Sequence, residues 1–172
     1  MRRRRFLFLS AALPAILAGC GWEPLYADRE TSEAAASLRA IKVMPITDRV
    51  GQQLEMGLRS SFNPNGDPQA KQLYVLNVTL QKTLIDSGIQ SQGLGTRGEV
   101  HLYAKYQLTE MATNKVLQNG TVHTSDSFDI QANGYSTVVA QNDAAIRDVE
   151  DIRREIVARL TLFMQNKDRA TS

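Results

Sequence analysis

The chain has 172 residues, 42% hydrophobic and 22% charged, with a formal net charge of +2. That length fits one domain plus processing segments. One cysteine and two histidines exclude a disulfide framework and leave little material for a metal centre.

The first residues read as an export signal. Arg2, Arg3, Arg4 and Arg5 form a basic start, and the apolar stretch 6–17 is interrupted only by Ser10 and Pro14. This stretch is too short for a bilayer span, which needs roughly 20 residues, and it ends in small residues of cleavage type. Leu17-Ala18-Gly19-Cys20 has the form of a bacterial lipobox. The sulfur of Cys20 is the nucleophile that accepts a diacylglycerol, and the small residues before it let the backbone enter a peptidase. Residues 1–19 are then a removed lipoprotein signal peptide and Cys20 is the lipid-attachment site. Each buried acyl CH₂ contributes about 0.8 kcal/mol, so the chains carried by one such cysteine make a stable anchor. Arg3-Arg4-Arg5-Phe6-Leu7 also fits a twin-arginine pattern, which leaves the export route open. Gly21, in a position where aspartate favours inner-membrane retention, points to the outer membrane.

Processing reverses the sign of the charge. Loss of residues 1–19 removes four of the 20 basic residues and none of the 18 acidic ones. The remainder is slightly acidic, without a basic stripe, and this argues against nucleic acid as a partner.

Residues 20–37 are polar and Ala-rich with no sustained period, and read as a lipidated tether. Residues 38–46 follow as a strand with Ile41 and Val43 on one face. Thr47 or Asp48 can cap a helix running to about Phe62, whose buried stripe is Val50, Leu54, Leu58 and Phe62. The cluster Asn63-Pro64-Asn65-Gly66-Asp67-Pro68 ends it.

Residues 73–85 alternate as a strand, with Tyr74, Leu76, Val78, Leu80 and Leu84 on one face and Asn77, Thr79, Gln81 and Thr83 on the other. Residues 99–108 repeat the pattern, with Val100, Leu102, Ala104, Tyr106 and Leu108 opposed to Glu99, His101, Lys105 and Gln107. A third strand, 115–129, follows a turn at 111–115 and completes a hairpin. One buried and one wetter face is the mark of an antiparallel sheet covered on one side.

The final helix, about 141–165, carries the strongest periodicity: Ala145, Val149, Ile152, Ile156, Leu160 and Phe163 share one stripe. Glu150 with Arg154 and Glu155 with Arg159 are spaced for ion pairs on the other face. The order is β-α-β-β-β-α. The expected fold class is α+β, a two-layer sandwich with two helices on one face of a four-stranded sheet. The domain is placed at 38–166, with a polar tail at 167–172.

No catalytic or metal-binding spacing is visible, and no cofactor is implied. His101 and His123 lie on different strands and read as surface residues. Gly93-Leu94-Gly95-Thr96-Arg97-Gly98 lacks the Gly-Lys-Ser/Thr ending of a phosphate loop and falls between strands, not before a helix. It reads as a strand connection.

Cys20-Gly21-Trp22-Glu23-Pro24-Leu25-Tyr26 resembles the lipidated start of the LptE family, the lipopolysaccharide-assembly lipoproteins of the outer membrane. Thr96-Arg97 before a strand ending Tyr106-Gln107-Leu108-Thr109 is similar to that family's third strand. Tyr135-Ser136-Thr137, Asp143-Ala144 and Ile156-Val157-Ala158-Arg159-Leu160 resemble its C-terminal region. The resemblance implies a non-catalytic protein, anchored in the outer membrane of a Gram-negative cell. Such a protein sits inside the LptD β-barrel, assists its assembly and binds lipopolysaccharide on its way to the outer leaflet.

Lipopolysaccharide carries phosphates, for which Arg and Lys are the natural receptors. Arg97 is the first candidate contact, with Lys82 and Lys105 on the wetter strand faces behind it. The turn 141–143 holds no basic residue to complete a clamp. Two other classes stay open: an anchored lipoprotein with a different envelope partner, and a periplasmic hydrolase of unfamiliar type.

Overall fold

The apolar alternation of the sequence resolves into a four-stranded mixed sheet with helices packed against it. The computed structural model describes residues 33–66, 71–86 and 97–171. Cys20 and the signal peptide lie outside them, as do most of the tether and most of the glycine-rich connection.

The first described element is a helix, α1 (Glu33–Arg39), where the sequence suggested unperiodic tether. The alanine run has high helix propensity, and tertiary packing completes the element: Leu38 is half-buried against the core and Ala40 is buried. Strand β1 (Ile41–Val43) is shorter than the expected 38–46, because α1 takes Leu38 and Arg39. It directs Ile41 and Val43 inward and Lys42 outward.

Helix α2 (Arg49–Phe62) starts at Asp48, whose carboxylate accepts a hydrogen bond from Val50 N at 3.0 Å. This satisfies one of the amides a helix N-terminus leaves open. Leu54, Leu58 and Phe62 are buried as the spacing required, while Val50 is only half-buried. Gly51 takes the inward place beside it, since a Cβ there would stand 2.5 Å from Ile46 Cγ2.

Strands β2 (Tyr74–Asp86), β3 (Arg97–Glu110) and β4 (Val116–Asp129) form the body of the sheet. The order is β1-β2-β3-β4, with β1 parallel to β2 and the other pairings antiparallel. The β3–β4 hairpin turns through 111–115, where Asn114 takes a left-handed φ of 55° and Glu110 N donates to Lys115 O at 2.9 Å. A register shift after Leu108 leaves Leu117 as an extra residue on β4, a bulge that locally increases twist.

Helix α3 (Gly134–Thr171) runs for 38 residues, about 57 Å at 1.5 Å per residue. It begins earlier than the periodicity suggested and runs on through the segment read as a polar tail. Ala144, Ala145, Val149, Ile152, Ile156, Leu160 and Met164 face the core. Met164 ends the buried stripe, and Phe163 is only half-buried at the margin.

The ion pairs along α3 differ in part from the expected spacing. Arg159 Nε meets Glu155 Oε1 at 2.7 Å, as expected, but Glu150 pairs with Arg153 at 2.8 Å and Arg154 pairs with Asp151. Arg153 lies across Gly57 and donates to Ser61 Oγ on α2 at 2.8 Å. Glu150 follows it there, because a partly buried guanidinium gains more from a partner than an exposed one.

Both long helices lie on the side of the sheet that carries Leu76, Leu102, Leu108 and Val122, and with them enclose one core. Among the described residues the other side of the sheet has no covering element.

Candidate functional site

Pleating sends the odd-numbered residues of β2, β3 and β4 to this open side. The register sets them in rows across three strands: Asn77, Gln107 and Asn119, then Thr79, Lys105 and Thr121. These two rows line a shallow depression of about 330 Å³. Its surface is amide and hydroxyl with Lys105 at the centre, able to exchange hydrogen bonds and attract an anion. Beneath it, the absent side chain of Gly120 makes room for Tyr106: a Cβ at Gly120 would stand 2.7 Å from Tyr106 Oη.

The next rows hold Gln81, Tyr103 and His123, then Thr83, His101 and Ser125. Tyr103 and His123 are direct cross-strand neighbours and stack at 4.2 Å between ring centroids. His101 Nδ1 lies 3.3 Å from His123 Nε2, and His101 Nε2 lies 3.2 Å from Glu99 Oε2. The two histidines are on different strands, as their sequence positions required, but they act as a pair. The side chain of His101 is only 16% exposed. Cross-strand register decides this contact, and a one-dimensional reading of each strand does not contain it.

The three candidate ligand residues are not brought together. Arg97 is the first residue of β3, exposed, opposite Asp129 on β4. Lys105 is on the same face, eight residues further along, or about 27 Å at strand rise. Lys82 is not on the wetter face: it stands directly opposite Leu102, whose side chain is fully buried. Directly opposed residues point to the same side, so Lys82 projects from the helix-bearing side, half-buried. Its even number already carried that parity, shared with Leu80 and Leu84.

Three charged groups escaped the sequence reading. Asp126 is ion-paired with Arg147 of α3, and this pairing holds the Arg147 guanidinium above its ordinary value. One residue on, Asp148 is the buried charged residue of the core, 2% exposed, and its Oδ2 has no hydrogen-bond partner. Burial pushes the Asp148 carboxyl up; Thr124 opposes this, and the charges of Asp126 and Asp151 add to the rise. A break in the apolar stripe of α3, between Ala145 and Val149, was the signal that could have found it.

Among the described residues no three His, Cys, Asp or Glu side chains are grouped to hold a metal ion. No described helix is long and apolar enough to cross a membrane. The class is thus an α+β sandwich, helices on one face of a mixed sheet, whose available chemistry lies on its surfaces.

The same fold occurs in one solved structure of a bacterial protein described as a lipoprotein, and weaker alignments occur with two others. A candidate lipoprotein from Caulobacter crescentus CB15 aligns with a TM-score of 0.64 at 18% identity, over 79% of this chain and 98% of its own. A minor lipoprotein from Acinetobacter baumannii aligns at 0.47 and 18% identity, over 71% and 88% of the two chains. Rare lipoprotein B from Shewanella oneidensis aligns at 0.46 and 9% identity, over 76% and 97%. At 18% identity the first likeness is one of fold. No family model matches the sequence, and no curated protein sequence matches it either.

Proposed function

We propose that this chain is an outer-membrane lipoprotein of the LptE type, anchored through Cys20. It plugs the LptD β-barrel, assists its assembly and helps deliver lipopolysaccharide to the outer leaflet. The observation that carries this reading is the lipobox cysteine, extended by Gly21 to Tyr26 into an LptE-like start, ahead of a domain with a lipoprotein fold. The open polar face supports it. One face of an antiparallel sheet can be left to water, and rows of Asn, Gln, Thr and Ser suit a hydrated barrel lumen.

In this reading lipopolysaccharide phosphates meet Arg97 at the end of β3. Lys105, in the amide-lined depression, is a second contact on the same face. Lys82, on the other side of the sheet, serves only a ligand that wraps the edge of β2. The lipid fixes the height of the domain at the periplasmic leaflet.

Crosslinking in intact outer membranes, followed by affinity capture and mass spectrometry, tests the reading. One large β-barrel protein should be recovered, and depletion of this chain should lower folded barrel and surface lipopolysaccharide together. Recovery of a different envelope component, with both levels normal, would replace it with that of an anchored lipoprotein serving another partner.

A further inference from the structure

Several cations of the domain gather at one end of it, where Glu110 is already engaged by Lys167. Leu73 N donates to Ala40 O at 2.9 Å, Met111 N to Leu73 O at 2.9 Å, and Glu110 N to Lys115 O at 2.9 Å. These bonds gather the end of α1, the starts of β1 and β2 and the β3–β4 turn at one end of the sheet. Arg39, Lys42, Lys71 and Lys115 are collected there, and none of the four has an ion pair among the described residues. Lys42, Lys71 and Lys115 are exposed. The opposite end holds Glu99, Asp126, Asp129, Asp143 and Asp148 against Arg97 and Arg147.

Basic residues at helix C-termini are favoured by the helix dipole, which accounts for Arg39 and for Arg59 at the end of α2. It does not account for Lys42 on a strand, nor for Lys71 and Lys115 in connections. The same end bears a cleft of about 630 Å³ in which Arg39, Lys42 and Arg59 surround Ile41, Phe62 and the exposed Met56. A cationic rim over an apolar floor suits a phosphate headgroup joined to a hydrocarbon.

We propose that this end is a docking surface for the anionic headgroups of the membrane that holds the N-terminus. The inference rests on the lipid-anchor reading of Cys20. Its occupant follows from charge and continuity. Helix α1 is the first described element and ends at Arg39. Cys20 precedes Glu33 by thirteen positions, a reach of at most about 45 Å. The anchor therefore keeps this end within range of the leaflet, and its cations hold the long axis upright with the acidic end pointing away. A juxtamembrane cation contributes about five-fold in affinity for an anionic surface, an effect that salt weakens.

The test separates this surface from the lipid and from the barrel. The core spans Ala40 to Met164, so residues 20–172 with Cys20→Ser retain all of it. That unlipidated chain should co-sediment with vesicles of phosphatidylcholine and phosphatidylglycerol, weakly with phosphatidylcholine alone, and less in high salt. Lys42→Gln, Lys71→Gln and Lys115→Gln should each lower binding about five-fold, with unchanged melting temperatures, while Arg154→Gln, at an exposed cation of α3, should not. Equal binding to both vesicle types, equal loss with Arg154→Gln, or no loss with the three lysine variants would each overturn the proposal. Barrel capture by the lipidated chain is measured separately, so failure of one result does not imply failure of the other.

Discussion

His101 Nδ1 and His123 Nε2 face each other at 3.3 Å across β3 and β4, with Glu99 at the far nitrogen of His101 and Tyr103 stacked on His123. One ring must donate and the other accept, so the pair exists only while one of the facing nitrogens lacks a proton. A double-mutant cycle with His101→Ala and His123→Ala should give a coupling of about 0.2–1 kcal/mol at pH 8, the usual range for cross-strand pairs. Urea unfolding measures it. Strictly additive losses would mean that the contact contributes nothing.

Asp148 gives the pH dependence a definite sign. Its folded-state carboxyl is raised by burial, so the folded chain binds its proton more readily than the unfolded chain does. Its charge therefore destabilises the fold at neutral pH, and the penalty fades as pH falls through the raised value toward the ordinary value of about 3.9. Asp148→Asn should be more stable than the parent chain at pH 7.5, with the difference shrinking as pH falls through the acid range. Chemical denaturation at several pH values checks this. A gap that widens on acidification would reverse the assignment.

Gly98 is required by packing. A Cβ there would fall 2.4 Å from Phe128 Cζ, and Gly98 and Phe128 are direct partners on β3 and β4. Gly98→Ala should cost about 1–3 kcal/mol, the usual range for overpacking, and thermal unfolding by circular dichroism reads it. Phe128→Leu in the same chain should recover part of the loss.

Lys82 acts as a guard on the edge of β2. Strand β1 pairs only with residues Tyr74 to Leu76, and among the described residues no other strand joins the rest of that edge. Leu84 is 49% exposed there and Ile85 46%. An inward-pointing charge on an open edge discourages pairing with another copy. Lys82→Val should fold but self-associate, as seen by sedimentation velocity. If Lys82 instead serves mainly as a phosphate contact, the variant stays monomeric and loses lipopolysaccharide binding.

Deep in the core the outcome is simpler. Ile156→Ala should destabilise by about 2–5 kcal/mol, because Ile156 is fully buried between α3 and the sheet. A melting-temperature shift smaller than that of an exposed control such as Ala158→Gly would mean that α3 is not packed as described.

The element order, the buried faces of β2 and β3 and most of the stripes on α2 and α3 were legible in the sequence. Those are local periodicities, and period two and period 3.6 survive in one dimension. The proposed lipobox at 17–20 is likewise a contiguous pattern, and Cys20 lies outside the described residues. Only the tertiary structure decided what depends on register and on contact across the sequence. It folded 33–39 as a helix by packing Leu38 against the core, and carried α3 through the supposed tail to Thr171. It put Lys82 beside Leu102, joined His101 to His123, and brought Lys42, Lys71 and Lys115 to one end. None of these is encoded at a fixed spacing: each arises when hydrogen-bond ladders align distant residues, and that alignment is set by burying one common core.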